Sequence, residues 1–370
     1  MRTGLRVAAL LLVASFAAPR SAAQAPPDPP PAAAPASPLD AVRAKTVLSD
    51  DDRTVVKSWV AERVDAVVGG SGGEAFGQLR AALTGGSPAF REALVAAEIE
   101  LIRPVIGAAP LAPGAQLVTL LANLDDLRTA DVLIESLRDS RAAVRTAAAV
   151  GLTTLRKKIA TEGGPLFGRA VEALREAGKK ETSGETLKAI YRALNYAEAG
   201  NVPDPALQVS ALLDLLGARS EQYGRSEIKG ESADLAGLKL AAGLRARFND
   251  EQRNRYVLAL ARILRYTVLR FSSELHKVQD RIAAPVAIAD RNNAELLISE
   301  VEAQLVDILK PTAAPSIRDA MKGKDRAFNV KLELNRWADL LEPVTGQKFH
   351  AEVSSADKDP EEKAPEDKQP

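Results

Sequence analysis

Residues 131–155 read DVLIESLRDSRAAVRTAAAVGLTTL. A short amphipathic helix is expected to end at Asp139, followed by a tight turn. A second helix then presents Val144, Ala148, Leu152 and Leu155 on one side. Steps of four, four and three residues return side chains to one face at 3.6 residues per turn, which a strand with period two does not do. The chain around this stretch is rich in Ala, Leu and Val, and only 4% of its residues are aromatic. Ala and Leu favour helix, and small side chains allow helices to approach closely. Alternating runs of Tyr, Phe, Thr and Ile, which sheets use, are few. The expected fold class is all-α.

Asp139, Val144 and Arg145, with the alanine-rich run after them, resemble a HEAT repeat. The resemblance implies that Asp139 closes the turn and starts the second helix, and that Arg145 supports a neighbouring unit. Fainter matches are Phe90-Arg91 in SPAFREALVAA and Leu187-Lys188 in ETLKAIYRAL. Neither has the turn Asp. The second interval suits a helical repeat of about 40–47 residues, and the first needs an insertion. A HEAT-like array over residues 41–248 follows, and the resemblance implies a surface that binds other proteins. The alternative is an irregular bundle with one HEAT-like pair.

Before this unit, Ser49 followed by Asp50, Asp51 and Asp52 is expected to cap a helix running to about Val68, with the carboxylates favouring its positive end. Gly69-Gly70-Ser71-Gly72-Gly73 interrupts the chain. Ser87-Pro88 opens another helix, with Pro at the permitted first position, and Pro104 closes it. Thr182 and Glu185 have the spacing of a capping box.

After Asp250 the pattern changes. Val257, Ala261, Leu264, Val268, Phe271, Leu275, Val278 and Ile282 alternate steps of four and three. Beyond a break at Pro285, Ala294, Ile298, Val301, Leu305 and Ile308 do the same. Such spacing keeps one apolar seam facing one partner, as in a coiled coil. A long antiparallel hairpin with a terminal helix is therefore expected over 249–345. Residues 245–281 carry net +5 and residues 290–310 net −3, so the hairpin would bring opposite charges together. Arg255, Arg262, Arg265 and Arg270 are a candidate basic interaction stripe. The favoured reading pairs them instead with Glu295, Glu300, Glu302 and Asp307. A homodimer through either seam remains open.

The chain's ends differ from this helical body. Arg2 and Arg6 precede an apolar run from Val7 to Ala18, and Ala23-Gln24-Ala25 supplies small residues, as in a secretory signal peptide cleaved after Ala25. The run is shorter than the ~20 residues a spanning helix needs. An exported protein is expected. The Ala/Arg/Gly/Pro bias suggests a GC-rich bacterial genome, hence periplasm or medium. Residues 26–40 form a Pro/Ala-rich linker, extended by its prolines. Residues 346–370 are expected to be a disordered acidic tail, with seven acids against three lysines from Ala351 onward.

Composition narrows the function. The 49 basic and 49 acidic side chains fall to about −3 once Arg2, Arg6 and Arg20 leave with the signal, which argues against a nucleic-acid binder. With no cysteine there is no disulfide and no thiolate zinc site. No later apolar run is long enough for an integral membrane segment. The two histidines, His276 and His350, lack a second histidine at helical spacing, and no cofactor is implied. Gly69–Gly73 matches Gly-x-Ser-x-Gly but lacks the strand that makes a nucleophile elbow. Ser226-Glu227-Ile228-Lys229 matches Ser-x-x-Lys without its companion motifs. Glu98, Glu100, Asp125 and Asp126 have no identifiable cleft, and Trp59 and Trp337 read as packing anchors. The sequence reading is an exported, non-enzymatic helical scaffold that binds another protein. The alternatives are a self-associating assembly protein using the 250–310 seam and an enzyme on a helical scaffold.

Overall fold

The structure is a computed structural model, and it describes residues 37–70, 72–200, 202–225, 231–278, 283–354 and 357. The signal peptide and nearly all of the Pro/Ala-rich linker lie outside the described residues, as do Ser71, Ser226–Lys229, Ile282 and the tail from 358. The described residues from Pro38 onward form one compact unit.

Among the described residues there are fifteen α-helices and no strand. In chain order they are α1 (Asp40–Arg43), α2 (Asp50–Val68), α3 (Gly72–Ala82), α4 (Pro88–Ile102) and α5 (Leu111–Asn123). They continue with α6 (Ala130–Ser136), α7 (Ala142–Glu162), α8 (Pro165–Lys180), α9 (Gly184–Leu194) and α10 (Pro205–Gly224). The last five are α11 (Asp234–Leu244), α12 (Asp250–Ser273), α13 (Pro285–Leu309), α14 (Ile317–Ala320) and α15 (Arg326–Thr345).

Local chemistry sets many of these boundaries. Ser49 accepts from the Asp52 amide while Asp52 accepts from the Ser49 amide, so α2 starts with a complete capping box. Ser87 accepts from the Phe90 amide, with Pro88 in the first turn of α4. At α9 the cap is Ser183, which accepts from the Thr186 amide; Thr182 stands one residue too early. α6 ends at Ser136 and not at Asp139, which lies in the turn before α7.

Alternate helices pack side by side. α5, α7, α9, α11 and α13 neighbour one another in turn, and so do α6, α8, α10, α12 and α15. Successive helices link the two layers, while α2, α3 and α4 pack together and against α5. Some connections are short, as between α7, which ends at Glu162, and α8, which starts at Pro165. Two glycines permit close approach. A Cβ at Gly151 of α7 would fall 2.8 Å from the Ala122 methyl on α5, and one at Gly237 of α11 would fall 2.5 Å from the Tyr191 ring on α9. One continuous apolar core runs from Leu39 to Ala351.

The expected two-helix hairpin is only part of the arrangement around α12. This helix packs on α10 and α15 as well as α13, and Leu260 and Ile263 are buried beside the seam residues Val257, Ala261, Leu264, Val268 and Phe271. A seam for one partner would leave those flanks open. α12 also stops at Ser273, so Leu275 and His276 lie in a short 3-10 turn beyond it. The tail joins the body later than 346, because Phe349 and Ala351 are buried. Asn335 on α15 accepts from the Ala351 amide at 2.6 Å and donates to its carbonyl at 3.1 Å.

Candidate functional site

Asp139, Val144 and Arg145 lie at the α6–α7 turn and the start of α7. The Asp139 carboxylate accepts from the Arg141 amide at 2.8 Å and from its guanidinium at 2.8 and 2.6 Å. Arg141 also donates to the carbonyls of Ile106, at 2.7 Å, and Ala109, tying this turn to the segment before α5. Arg145 grips Glu181 with Nε and Nη2 at 2.7 and 2.8 Å, and its Nη1 donates to the carbonyls of Asp139 and Ser140. Asp139 thus closes its own turn, and Arg145 reaches the turn before α9. Val144 is fully buried between them. Hydrogen bonds from Arg141 hold the Asp139 carboxyl below its usual range. Burial alone would push Glu181 up, but Arg145 and the amides of Ser183 and Thr182 bring it below its usual range. Beside this clasp runs a groove of about 690 Å³ between α6 and α8, whose walls carry both signs of charge: Arg169 and Lys180 beside Glu172 and Glu176.

A second charged cluster escaped the sequence reading. Asp234, at the start of α11, accepts from Arg219 Nε and Nη2 at 3.1 and 2.7 Å and from the hydroxyls of Tyr191 and Tyr223 at 2.9 Å each. All four side chains are buried. Burial, then the Asp234 charge, raises both tyrosine hydroxyls well above their usual range. The cluster bolts α9, α10 and α11 together. Its outermost members, Tyr191 and Asp234, lie 43 positions apart, and only Arg219 and Tyr223 share a helix, one turn apart on α10.

The four arginines of the basic stripe divide in the fold. Arg255 pairs with Asp214 on α10 at 2.5 Å. Arg270 pairs with Glu231 and, at 3.5 Å, with Asp290. Arg262 reaches only the amide oxygen of Gln347, at 3.5 Å. Among the described residues Arg265 has no acidic partner, and neither has Arg262 or Lys348. The expected pairing with Glu295, Glu300, Glu302 and Asp307 does not form. Asp307 pairs with Arg245, and Glu295 with Arg291. Glu300 accepts from Gln304. Glu302 is buried, accepting from the Ile317 and Arg318 amides and from the Trp337 indole. The reason is geometric: much of the α12–α13 contact is apolar, so the α12 cations emerge toward α10 and the segment after α15.

There they border a cavity of about 740 Å³. Arg262, Arg265 and Arg270 form one wall, Lys331 of α15 and Lys348 stand across it, and Glu274 is the one acid in the lining. Tyr223 and Tyr266 lie edge to face at 5.2 Å and contribute ring surface, with Leu269 and Phe349. Lys331 pairs with Asp357 at 2.7 Å, and that bond, with the Ser354 amide, holds the Asp357 carboxyl low. This site collects cations from two helices and one strap of chain, with ring faces beneath. It suits carboxylates presented on an extended segment.

Other candidates resolve differently. His276 Nδ1 lies 3.2 Å from the Phe271 carbonyl, and His350 Nε2 lies 2.9 Å from Asp339. Glu100, Asp125 and Asp126 pair with Lys57, Lys158 and Arg128. Glu98 is fully buried, neither of its oxygens has a hydrogen-bond partner among the described residues, and burial pushes its carboxyl up to about 8. Trp59 and Trp337 are buried, and Arg63 stacks on the former at 4.3 Å. Among the described residues there is no cluster of three His, Asp or Glu able to hold a metal ion, and no helix is long and apolar enough to cross a membrane. No known protein family, curated protein or solved structure matches the chain.

Proposed function

We propose that the chain is an exported, non-enzymatic helical scaffold that binds another protein, and that its binding surface includes the cationic cavity beside α12. Export rests on the Arg2–Ala25 pattern. The observation that carries the binding reading is the charge left over in the cavity, where Arg262, Arg265 and Lys348 have no acidic partner among the described residues. The backbone that carries these cations is already ordered, on α12 and on the strap pinned at Ala351, so docking of an acidic segment need order only side chains on this face. The HEAT-like reading of residues 41–248 gives the same class of function, with the groove between α6 and α8 as a second surface.

The test is photo-crosslinking in cells of the tagged full chain, with the crosslinker at Gln347 or, as a control, at exposed Val150 on α7. A discrete adduct from Gln347, lost when Arg265→Glu and Lys348→Glu are added with helicity unchanged, supports the reading. Equal adducts from Val150, or adducts indifferent to the charge reversal, overturn it.

One observation favours self-association as the second reading. α13 leaves Val286 and Leu296 72% and 56% exposed, while its seam residues Ala294, Ile298, Val301 and Leu305 are buried within the chain, so a second copy would cover the exposed flank and not the seam. Light scattering at tens of micromolar decides this; a monomer removes it.

A further inference from the structure

We infer that the acidic segment 358–370 of this same chain occupies the cationic cavity and competes there with the partner's acidic segment. The inference rests on the cavity being the binding surface. Three observations lead to it.

The first is where the strap enters. Gln347, Lys348 and Phe349 are themselves part of the cavity lining, and Ala351 is fixed to Asn335 by two hydrogen bonds. The chain therefore leaves the folded body at the rim of the cavity. The second is Asp357, which already bonds to Lys331, a cation of the cavity wall, at 2.7 Å. One acid of the tail is thus seated beside the site. The third is charge and reach. The thirteen residues that follow Asp357 carry five acids, Asp359, Glu361, Glu362, Glu366 and Asp367, against three lysines. Extended at roughly 3.3 Å per residue they reach about 43 Å, more than a cavity of this size requires. The stretch also contains Pro360 and Pro365, residues that a helix interior does not tolerate.

Such a contact is reversible by construction. Exposed ion pairs are individually weak, so the tail binds weakly per contact and gains from being tethered. With a local concentration on the order of 1 mM and an intrinsic Kd of about 0.1 mM, it would weaken an external acidic peptide about tenfold. The tail then sets a threshold that a partner must exceed.

The experiment uses the full chain and a fluorescein-labelled synthetic peptide with the sequence of residues 357–370. Its affinity is measured for the wild type and for a full-length variant carrying Asp359→Asn, Glu361→Gln, Glu362→Gln, Glu366→Gln and Asp367→Asn. The expected result is about tenfold tighter binding by the variant, lost on adding Arg265→Glu and Lys348→Glu. Equal affinity for wild type and variant, or no binding to either, overturns tail occupancy. Binding that survives the double reversal overturns the cavity reading itself. Zero-length carbodiimide coupling of the wild type gives a direct second readout. Bonds from Lys348 to Glu361, Glu362 or Glu366 support the contact, and coupling of those acids only to lysines elsewhere overturns it.

Discussion

Arg145 and Arg265 are both helical arginines in a charged concavity, yet they behave in opposite ways. Arg145 engages Nε, Nη1 and Nη2 on Glu181 and two carbonyls, while Arg265 has no acidic partner among the described residues. A saturated cation is a brace, and its loss leaves buried acceptors unmet. An unsaturated cation on a rigid frame adds little to stability and is free to recognise a ligand. Both arginines border concavities of similar size, so the partners of each cation, and not the volume beside it, separate the two.

The strongest challenge to that comparison comes from Glu98, which is unsatisfied and yet has no access to solvent. Its folded-state pKa of about 8 stands above the ordinary 4.5, so the folded state holds the proton more tightly. Stability from this group is full below pH 4.5 and is lost as pH rises through 8. At about 1.4 kcal/mol per unit the loss approaches ~5 kcal/mol. Urea unfolding from pH 5 to 9 should show that fall in the wild type and not in Glu98→Leu; parallel curves would remove Glu98 from the account.

The saturated class is broken most sharply at Asp234. Asp234→Ala strands the buried Arg219 guanidinium and should cost about 3–5 kcal/mol in chemical denaturation. A loss under 1 kcal/mol would show that α9, α10 and α11 hold without the cluster. Glu181→Gln should cost about 2 kcal/mol, since Arg145 keeps its two carbonyls but loses its counter-charge. Because the Glu181 carboxyl lies below its ordinary 4.5 in the folded chain, its contribution is present above that value and lost as pH falls through the folded pKa. The variant should therefore be less acid-sensitive than the wild type. Arg265→Ala sits at the other extreme. Its unfolding midpoint should match the wild type within about 0.5 kcal/mol, while affinity for the acidic peptide falls. A stability loss like that of Glu181→Gln would erase the distinction.

Much of the helical body was legible because its signals are local. Ser49 with Asp52 and Ser87 with Pro88 act within one turn, and the structure starts α2 and α4 where they stand. The Thr182 assignment failed by one residue, since Ser183 offers the same hydroxyl at the position the α9 amides face. The α12 seam misled for a different reason. A four-three apolar spacing records that one face is buried but not how many others are, and α12 has three helical neighbours. The Asp234 cluster was invisible, because Tyr191 and Asp234 join the Arg219–Tyr223 pair of α10 only when α9, α10 and α11 pack.

By itself, then, the sequence determined that this is a helical chain and where many of its helices begin. These follow from backbone propensity, capping and hydrophobic period, all of which act over a few residues. Which charges are satisfied was decided only by the tertiary structure. Arg255 found Asp214, Arg145 found Glu181, and Arg265 found no acid among the described residues. Ion pairing depends on distances of a few ångströms between segments tens of residues apart, and only the packing of alternate helices sets those distances.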